Sequence, residues 1–159
     1  MTAAAVKAAD VVAALTERGL TIAVAESLTG GLVVAELVSV PGASVVVRGG
    51  IVAYATELKA QLLGVDASLL AREGAIHPLV AEQMALGVRE RLGADVGLAT
   101  TGAAGPDPQD GHEPGEVWLG ISTVSGTRSR GLRLSGDRAT IRQQTVDAVL
   151  RLVLEELAE

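Results

Sequence analysis

The stretch between residues 21 and 40 limits the possible folds more than any other. Residues 21–25, Thr-Ile-Ala-Val-Ala, are a short apolar run suited to a buried strand, and residues 32–40 read as an apolar helix. Between them stand Glu26, Ser27, Leu28 and Thr29, then the pair Gly30-Gly31. A strand that turns into a helix through such a step holds a hydroxyl at the mouth of a sheet. It also aims free backbone N–H groups at whatever lies in front of the helix. Ser and Thr open helices as caps as well, so these residues alone support a cap and a site equally.

The rest of the chain alternates in the same manner. Residues 5–18 carry Val6, Val11, Val12 and Leu15 at helical spacing, with Gly19 as the stop. Val40-Pro41-Gly42 marks a turn, and residues 44–47 are short and β-branched. After an expected break at Gly49-Gly50, residues 51–54 read as a strand and 56–63 as a helix stopped by Gly64, while 67–72 suit one or two helical turns. His77-Pro78 introduces a helix over 79–92, with Val80, Met84, Val88 and Leu92 on one stripe and Gly93 closing it. Residues 95–100 form another buried strand and run into a second small-residue loop, 101–106. Residues 107–115 are rich in Pro, Gly and acid and read as an exposed loop. Residues 116–123 and 127–134 flank a hairpin signal at Val124-Ser125-Gly126, and Ser135-Gly136-Asp137 caps a final helix reaching about residue 157.

This order predicts an α/β fold in one domain over residues 1–159. It takes the form of a three-layer α/β/α sandwich whose mixed, partly parallel sheet ends in a hairpin. Ligands collect at strand ends in such sheets, so loops 28–31 and 101–106 are expected to face one pocket.

Composition narrows the function. The chain is 48% hydrophobic yet has no Phe, one Tyr and one Trp, so its core must be built from Ala, Val and Leu. With no Cys there is no disulfide and no thiolate chemistry, in keeping with a cytoplasmic location. A net charge of -6 without a basic tract argues against nucleic acid as partner. No apolar stretch reaches bilayer length and no signal-peptide pattern opens the chain, so no membrane role is expected. Without Cys or a helical His pair there is no metal-ligand spacing, and no metal is expected.

Ser27 needs a base before it can attack a carbonyl. His77 sits where a helix cap is expected and His112 lies in the polar loop, and no acidic partner is suggested for either. Of the two lysines, Lys7 reads as a solvated charge, while Lys59 lies one turn into the helix that follows Tyr54. A lysine held in a dry pocket loses proton affinity and can serve as a general base, and serine paired with lysine is a known alternative to serine with histidine. The other reading makes Lys59 an exposed helix charge and Tyr54 a core ring. Arg138 and Arg142, four apart on the opening turns of the last helix, suit an anion such as phosphate and suit solvent equally well.

Five ordered runs carry a resemblance that covers residues 6–157. They are A-E-S-L-T-G-G, G-G-I-V-A-Y-A-T-E-L-K-A-Q-L-L-G-V, T-G-A-A-G-P, V-W-L-G and L-S-G-D-R-A-T-I-R-Q-Q. Together they resemble the C-terminal domain of the CinA competence/damage-inducible family, which includes stand-alone nicotinamide-nucleotide amidohydrolases. The chain is more similar to that stand-alone form than to relatives with an added N-terminal domain.

The resemblance implies hydrolysis of the carboxamide of nicotinamide mononucleotide to nicotinic acid mononucleotide and ammonia, without a cofactor. By the same resemblance Ser27 matches the nucleophile, Lys59 the base and Tyr54 a residue beside them. Thr29, Gly30 and Gly31, with Thr101, Gly102, Ala103 and Gly105, match the pocket loops, and Arg138 and Arg142 match the basic residues of the S-G-D-R-x-x-x-R segment. Assembly into a homo-oligomer, a dimer first, is the further implication. Two positions depart from the family pattern: His77 stands where a serine is frequent, and Glu116 where a threonine precedes the Val-Trp pair. The competing class is a non-catalytic nucleotide- or partner-binding protein that uses the same pocket.

Overall fold

A computed structural model describes residues 6–159, so residue 5 of the expected first helix lies outside the described residues. The elements run α1 (Ala8–Arg18), β1 (Ile22–Glu26), α2 (Leu32–Val38), a single 3-10 turn (Ala43–Val45), β2 (Val47–Val52), α3 (Thr56–Leu63), α4 (Ala67–Glu73), α5 (Pro78–Leu92), β3 (Val96–Gly102), β4 (Glu116–Thr123), β5 (Gly126–Arg133) and α6 (Arg138–Leu157). The five strands form one open mixed sheet in the order β2-β1-β3-β4-β5. β2, β1 and β3 are parallel, and β3, β4 and β5 are antiparallel. The expected α/β fold with a mixed, partly parallel sheet is therefore observed.

Alternation along β1 sorts side chains between the two faces. Ile22 and Val24 join the cluster built by α1, α2 and α6. Ala23 and Ala25 join the one built by α3, α4 and α5. The second face is lined by small residues because α5 lies almost on the sheet backbone. A Cβ added at Gly97 would stand 2.1 Å from the Ala85 carbonyl oxygen, and one at Gly120 would stand 2.2 Å from that of Ala81. An aromatic-free core of this kind can still be dense, because short side chains let the helix approach closely.

One expectation fails at β2. Residues 44–47 do not form a strand of their own, and Gly49-Gly50 does not break one: both glycines lie inside β2. The reason is again close approach, since a Cβ at Gly50 would meet Val34 Cγ2 of α2 at 2.5 Å and the Val24 carbonyl at 3.1 Å. Glycine inside a strand pattern marks this situation as readily as a break.

The connections place the site. The crossover from β1 through α2 reaches β2 on one side, and the return through α3, α4 and α5 reaches β3 on the other side of β1. The chain thus reverses direction across the sheet at β1, and in sheets of this kind ligands bind at such a reversal, outside the C-terminal ends of the strands, here β1 and β3. Among the described residues no helix is long and apolar enough to cross a membrane.

Replacing Gly97 with Ala should lower the urea midpoint by the equivalent of about 1–3 kcal/mol, the usual range for forcing a methyl group into a packed interior. Val124→Ala, at a position that is 91% exposed, should stay within about 0.5 kcal/mol of the parent. Equal stability of the two variants would show that α5 does not sit where described.

Candidate active site

At the end of β1 two consecutive side chains point to opposite faces, as strand geometry requires. Glu26 faces α2. Its carboxylate accepts from the backbone N–H of Gly31 (3.1 Å), Val33 (2.9 Å) and Val34 (3.1 Å) and is fully buried. The opening N–H groups of α2, expected to face a ligand, are therefore held by an anion of the protein's own chain. Gly30 and Gly31 serve this cap through their left-handed backbone, at φ 58 and 107, a conformation that costs glycine little.

Ser27 faces α3. Its N–H donates to the Thr100 carbonyl at the end of β3 (3.1 Å), which ties the nucleophile candidate to the neighbouring strand. Lys59, the fourth residue of α3, is 1% exposed. Its Nζ lies 3.0 Å from Ser27 Oγ, and it donates to the main-chain carbonyls of Ala53 (2.8 Å) and Tyr54 (3.3 Å). The reading of Lys59 as an exposed charge is thus replaced by a buried one. Burial drives its pKa from 10.5 down to about 8, against the opposing fields of Asp110 and then Glu57.

Three partners around one amine have a chemical consequence. As an ammonium, Lys59 donates to all three. As a neutral amine it keeps two N–H bonds to the fixed carbonyls and turns its lone pair toward the Ser27 hydroxyl. That is the geometry of a general base poised on a nucleophile.

Tyr54 is placed differently from the expected core ring. It is 60% exposed, and its link to Lys59 runs through its main-chain carbonyl. Its phenol oxygen instead accepts from Arg138 Nη2 at 3.2 Å. Arg138 Nη1 donates to the Gly105 carbonyl at 2.6 Å. Arg142, one turn on, donates to the carbonyls of Leu28 (2.9 Å) and Thr29 (3.3 Å). The two arginines at the start of α6 therefore tie both small-residue loops to one rim, with guanidinium N–H groups to spare.

Within those loops the predicted residues divide. The Thr29 and Thr100 hydroxyls share a hydrogen bond of 2.8 Å, and the Thr101 hydroxyl donates to the Ala75 carbonyl at 2.7 Å. Gly102 and Ala103 lie against the neighbouring strand. A Cβ at Gly102 would meet the Glu116 carbonyl at 2.7 Å, and the Ala103 N–H donates to that same oxygen. Gly30 N–H donates to the Ser27 carbonyl. Among the described residues, the N–H groups of Leu28, Thr29, Ala104 and Gly105 find no protein acceptor.

The histidines take no part in a triad. His77 caps α5, its Nδ1 accepting from Leu79 N–H at 3.1 Å. His112, for which no acidic partner was expected, pairs with Glu116 Oε2 at 2.7 Å, so the unusual acid before Val117 has a local partner. Among the described residues no group of three His, Cys, Asp or Glu side chains is placed to hold a metal. Sequence reasoning missed Glu26 as the α2 cap, although strand alternation was available to signal it. It also gave no partner to Asp110, whose carboxylate accepts from the Ala75 N–H 35 residues away.

The family model for the CinA C-terminal domain matches residues 4–157. A CinA-like protein from Frankia casuarinae is 54% identical over 144 residues, covering 91% of this chain and 33% of that protein. The chain spans about a third of the length of the curated relatives it matches. A solved CinA superfamily protein from Klebsiella pneumoniae superposes with a TM-score of 0.92 at 30% identity, covering 95% of each chain. A competence/damage inducible protein from Agrobacterium tumefaciens does so with a TM-score of 0.90 at 31% identity over 100% of both.

Between about pH 8 and 10.5 the unfolded chain keeps a proton on Lys59 that the folded chain has lost. Stability therefore rises with pH across that window, by about 3 kcal/mol at most. Below pH 8 the penalty for burying the charge is present in full. Urea titrations at several pH values should show this rise in the parent and its loss in Lys59→Met; parallel curves for the two would contradict the burial of Lys59.

Proposed function

The chain belongs to the CinA C-terminal domain family, and from that premise we propose that it is an amidohydrolase that removes the carboxamide nitrogen of nicotinamide mononucleotide as ammonia. The observation that carries this reading is the 3.0 Å approach of a buried lysine amine to Ser27 Oγ, with two carbonyls holding its remaining N–H bonds.

Neutral Lys59 takes the Ser27 proton as Oγ attacks the carboxamide carbon, and the carbonyl electrons move onto oxygen. The N–H groups of Leu28 and Thr29, directly after the nucleophile, are the donors nearest in sequence to that oxyanion, with Ala104 and Gly105 on the facing loop. Preorganised donors of this kind are worth about 2.7–4 kcal/mol each in acyl transfer. The C–N bond then breaks as Lys59 returns the proton to nitrogen, releasing ammonia and leaving an ester on Ser27. Water, deprotonated by the same amine, attacks that ester. The acid departs and Ser27 recovers its proton. The spare guanidinium N–H groups of Arg138 and Arg142, beside the Tyr54 hydroxyl, suit the 5′-phosphate of the nucleotide.

Ser27→Ala should abolish ammonia release from nicotinamide mononucleotide while circular dichroism stays unchanged; a folded variant with full activity would remove Ser27 as nucleophile. In the parent, kcat/KM should climb with pH to a plateau above about 8, following the neutral fraction of Lys59.

Arg138→Ala should raise KM for the mononucleotide about tenfold, the scale of a lost charge-assisted bond, and leave the dephosphorylated nucleoside nearly unaffected. Equal weakening of both ligands would place the phosphate elsewhere.

A further inference from the structure

The end of the sheet opposite Ser27 carries a second concave feature. A cavity of about 300 Å3 lies there, between the start of β3, the β4–β5 turn and the last turns of α1, α5 and α6. It stands at the N-terminal ends of the parallel strands β1 and β3, a strand's length from Ser27.

Arg89 lines this cavity from α5. Its stem is rooted on the sheet, since a Cβ at Gly97 of β3 would stand 2.7 Å from Arg89 Cβ. Its Nε is buried, and among the described residues it has no hydrogen-bond acceptor. Nor does its guanidinium group join any ion pair among them. Arg18, also in the lining, donates to two neutral main-chain carbonyls, those of Ala14 (3.2 Å) and Leu157 (3.1 Å).

The acids of the lining are drawn to other donors. Asp95 Oδ2 accepts from the Thr21 N–H (2.8 Å) and the Thr21 hydroxyl (3.0 Å). Glu156 Oε2 accepts from Nε and Nη2 of Arg128, and Glu159 Oε1 lies 3.8 Å from the same Nη2. A buried N–H without an acceptor carries its full desolvation penalty. A water molecule would take up that N–H and still leave the guanidinium charge without a counter-ion.

The lining also indicates what would complete the site. A guanidinium fork takes a planar carboxylate through two parallel N–H bonds. Thr123 Oγ1 accepts from the Ser125 N–H at 3.2 Å, which leaves its hydroxyl proton for an acceptor from outside. Leu20, Val96 and Leu157 supply an apolar wall. The carboxylates of Asp95, Glu156 and Glu159 repel a second negative charge on a ligand, which counts against a phosphate dianion.

We propose that this cavity binds a small organic monocarboxylate, its oxygens held by Arg89 with Arg18 beside it and its carbon chain resting on Leu20, Val96 and Leu157. The site is separate from the pocket of Ser27 and Lys59 and does not depend on the hydrolase reading.

The Nε–Hε nuclear magnetic resonance signal of Arg89 reports on the site directly. Arg89→Lys keeps the charge and removes Nε, so the signal it loses is the one to follow; if that variant does not fold, sequential assignment of the parent identifies the same signal. Sodium butyrate titrated into the parent should move the signal along a saturating curve. Acetate, lacking the carbon chain, should saturate at higher concentration, and butyramide or sodium chloride at matched ionic strength should leave the signal in place. Followed at the Ser125 amide, Arg89→Lys should raise the butyrate dissociation constant about tenfold, the scale of a lost charge-assisted fork, while Arg138→Ala should leave it unchanged. An Arg89 signal that ignores butyrate, or that answers butyramide or chloride equally, would overturn the proposal. Tighter saturation by inorganic phosphate would overturn the carboxylate assignment, and a butyrate effect lost in Arg138→Ala would place the carboxylate at the Ser27 end instead.

Discussion

A lysine with almost no exposure survives in a core only where each N–H it keeps has an acceptor and its charge is either shared or given up. At Lys59 both conditions are met by backbone: the Ala53 and Tyr54 carbonyls take two N–H groups, and Ser27 Oγ is the third partner. Much of the surrounding architecture follows from this requirement. The strand exit at β2 must deliver two consecutive carbonyls to the start of α3, and β1 must end so that its last in-facing position falls on the side where α3 lies. The amine then faces one hydroxyl with its remaining valence, and the site is set by the sheet rather than by a loop free to move.

Strand parity decides the companion role. Shifting β1 by one residue would turn Ser27 toward α2 and Glu26 toward α3, setting a carboxylate against Lys59 and a hydroxyl against the helix N-terminus. The carboxylate beside the amine would hold it protonated. In the observed register, Glu26 absorbs the positive end of α2 while Ser27 meets an amine that can be neutral near pH 8. Two residues, adjacent in the chain and opposite in direction, keep a carboxylate away from the Lys59 amine. The internal cap also means that an incoming anion cannot rely on the α2 N-terminus, which leaves the guanidinium groups of α6 as the cationic elements at the rim.

The layers and the sheet were legible because apolar periodicity and glycine stops are local signals. Helices α1, α3 and α5, strand β1 and the β4–β5 hairpin lie close to where residue patterns place them. What was not legible depends on contacts between distant segments. Gly49-Gly50 looks like a break until Val34 is seen resting on it. Gly102 gives no sign in the sequence of the β4 carbonyl of Glu116 that lies against it. Tyr54 is the chain's single tyrosine, and its rarity drew attention to the ring, yet its main-chain oxygen is the part that touches Lys59. Spacing alone favoured an exposed Lys59 over a buried one, since an eight-residue helix with one apolar stripe does not reveal which face the neighbouring strand will cover.

The distribution of arginine and lysine fits the same logic. Arginine keeps its charge under any condition the site can impose, so Arg138 and Arg142 can brace both loops through the carbonyls of Gly105, Leu28 and Thr29 and still offer N–H groups to an anion. A lysine in their place would lose the fork that reaches two acceptors at once. An arginine at position 59 would fail for the converse reason: it cannot surrender a proton, and no arrangement of carbonyls would make it a base. The proposed chemistry therefore needs a titrating cation against the serine and non-titrating ones at the rim. That division ties the choice of residue at each of the three positions to the chemistry proposed for the pocket.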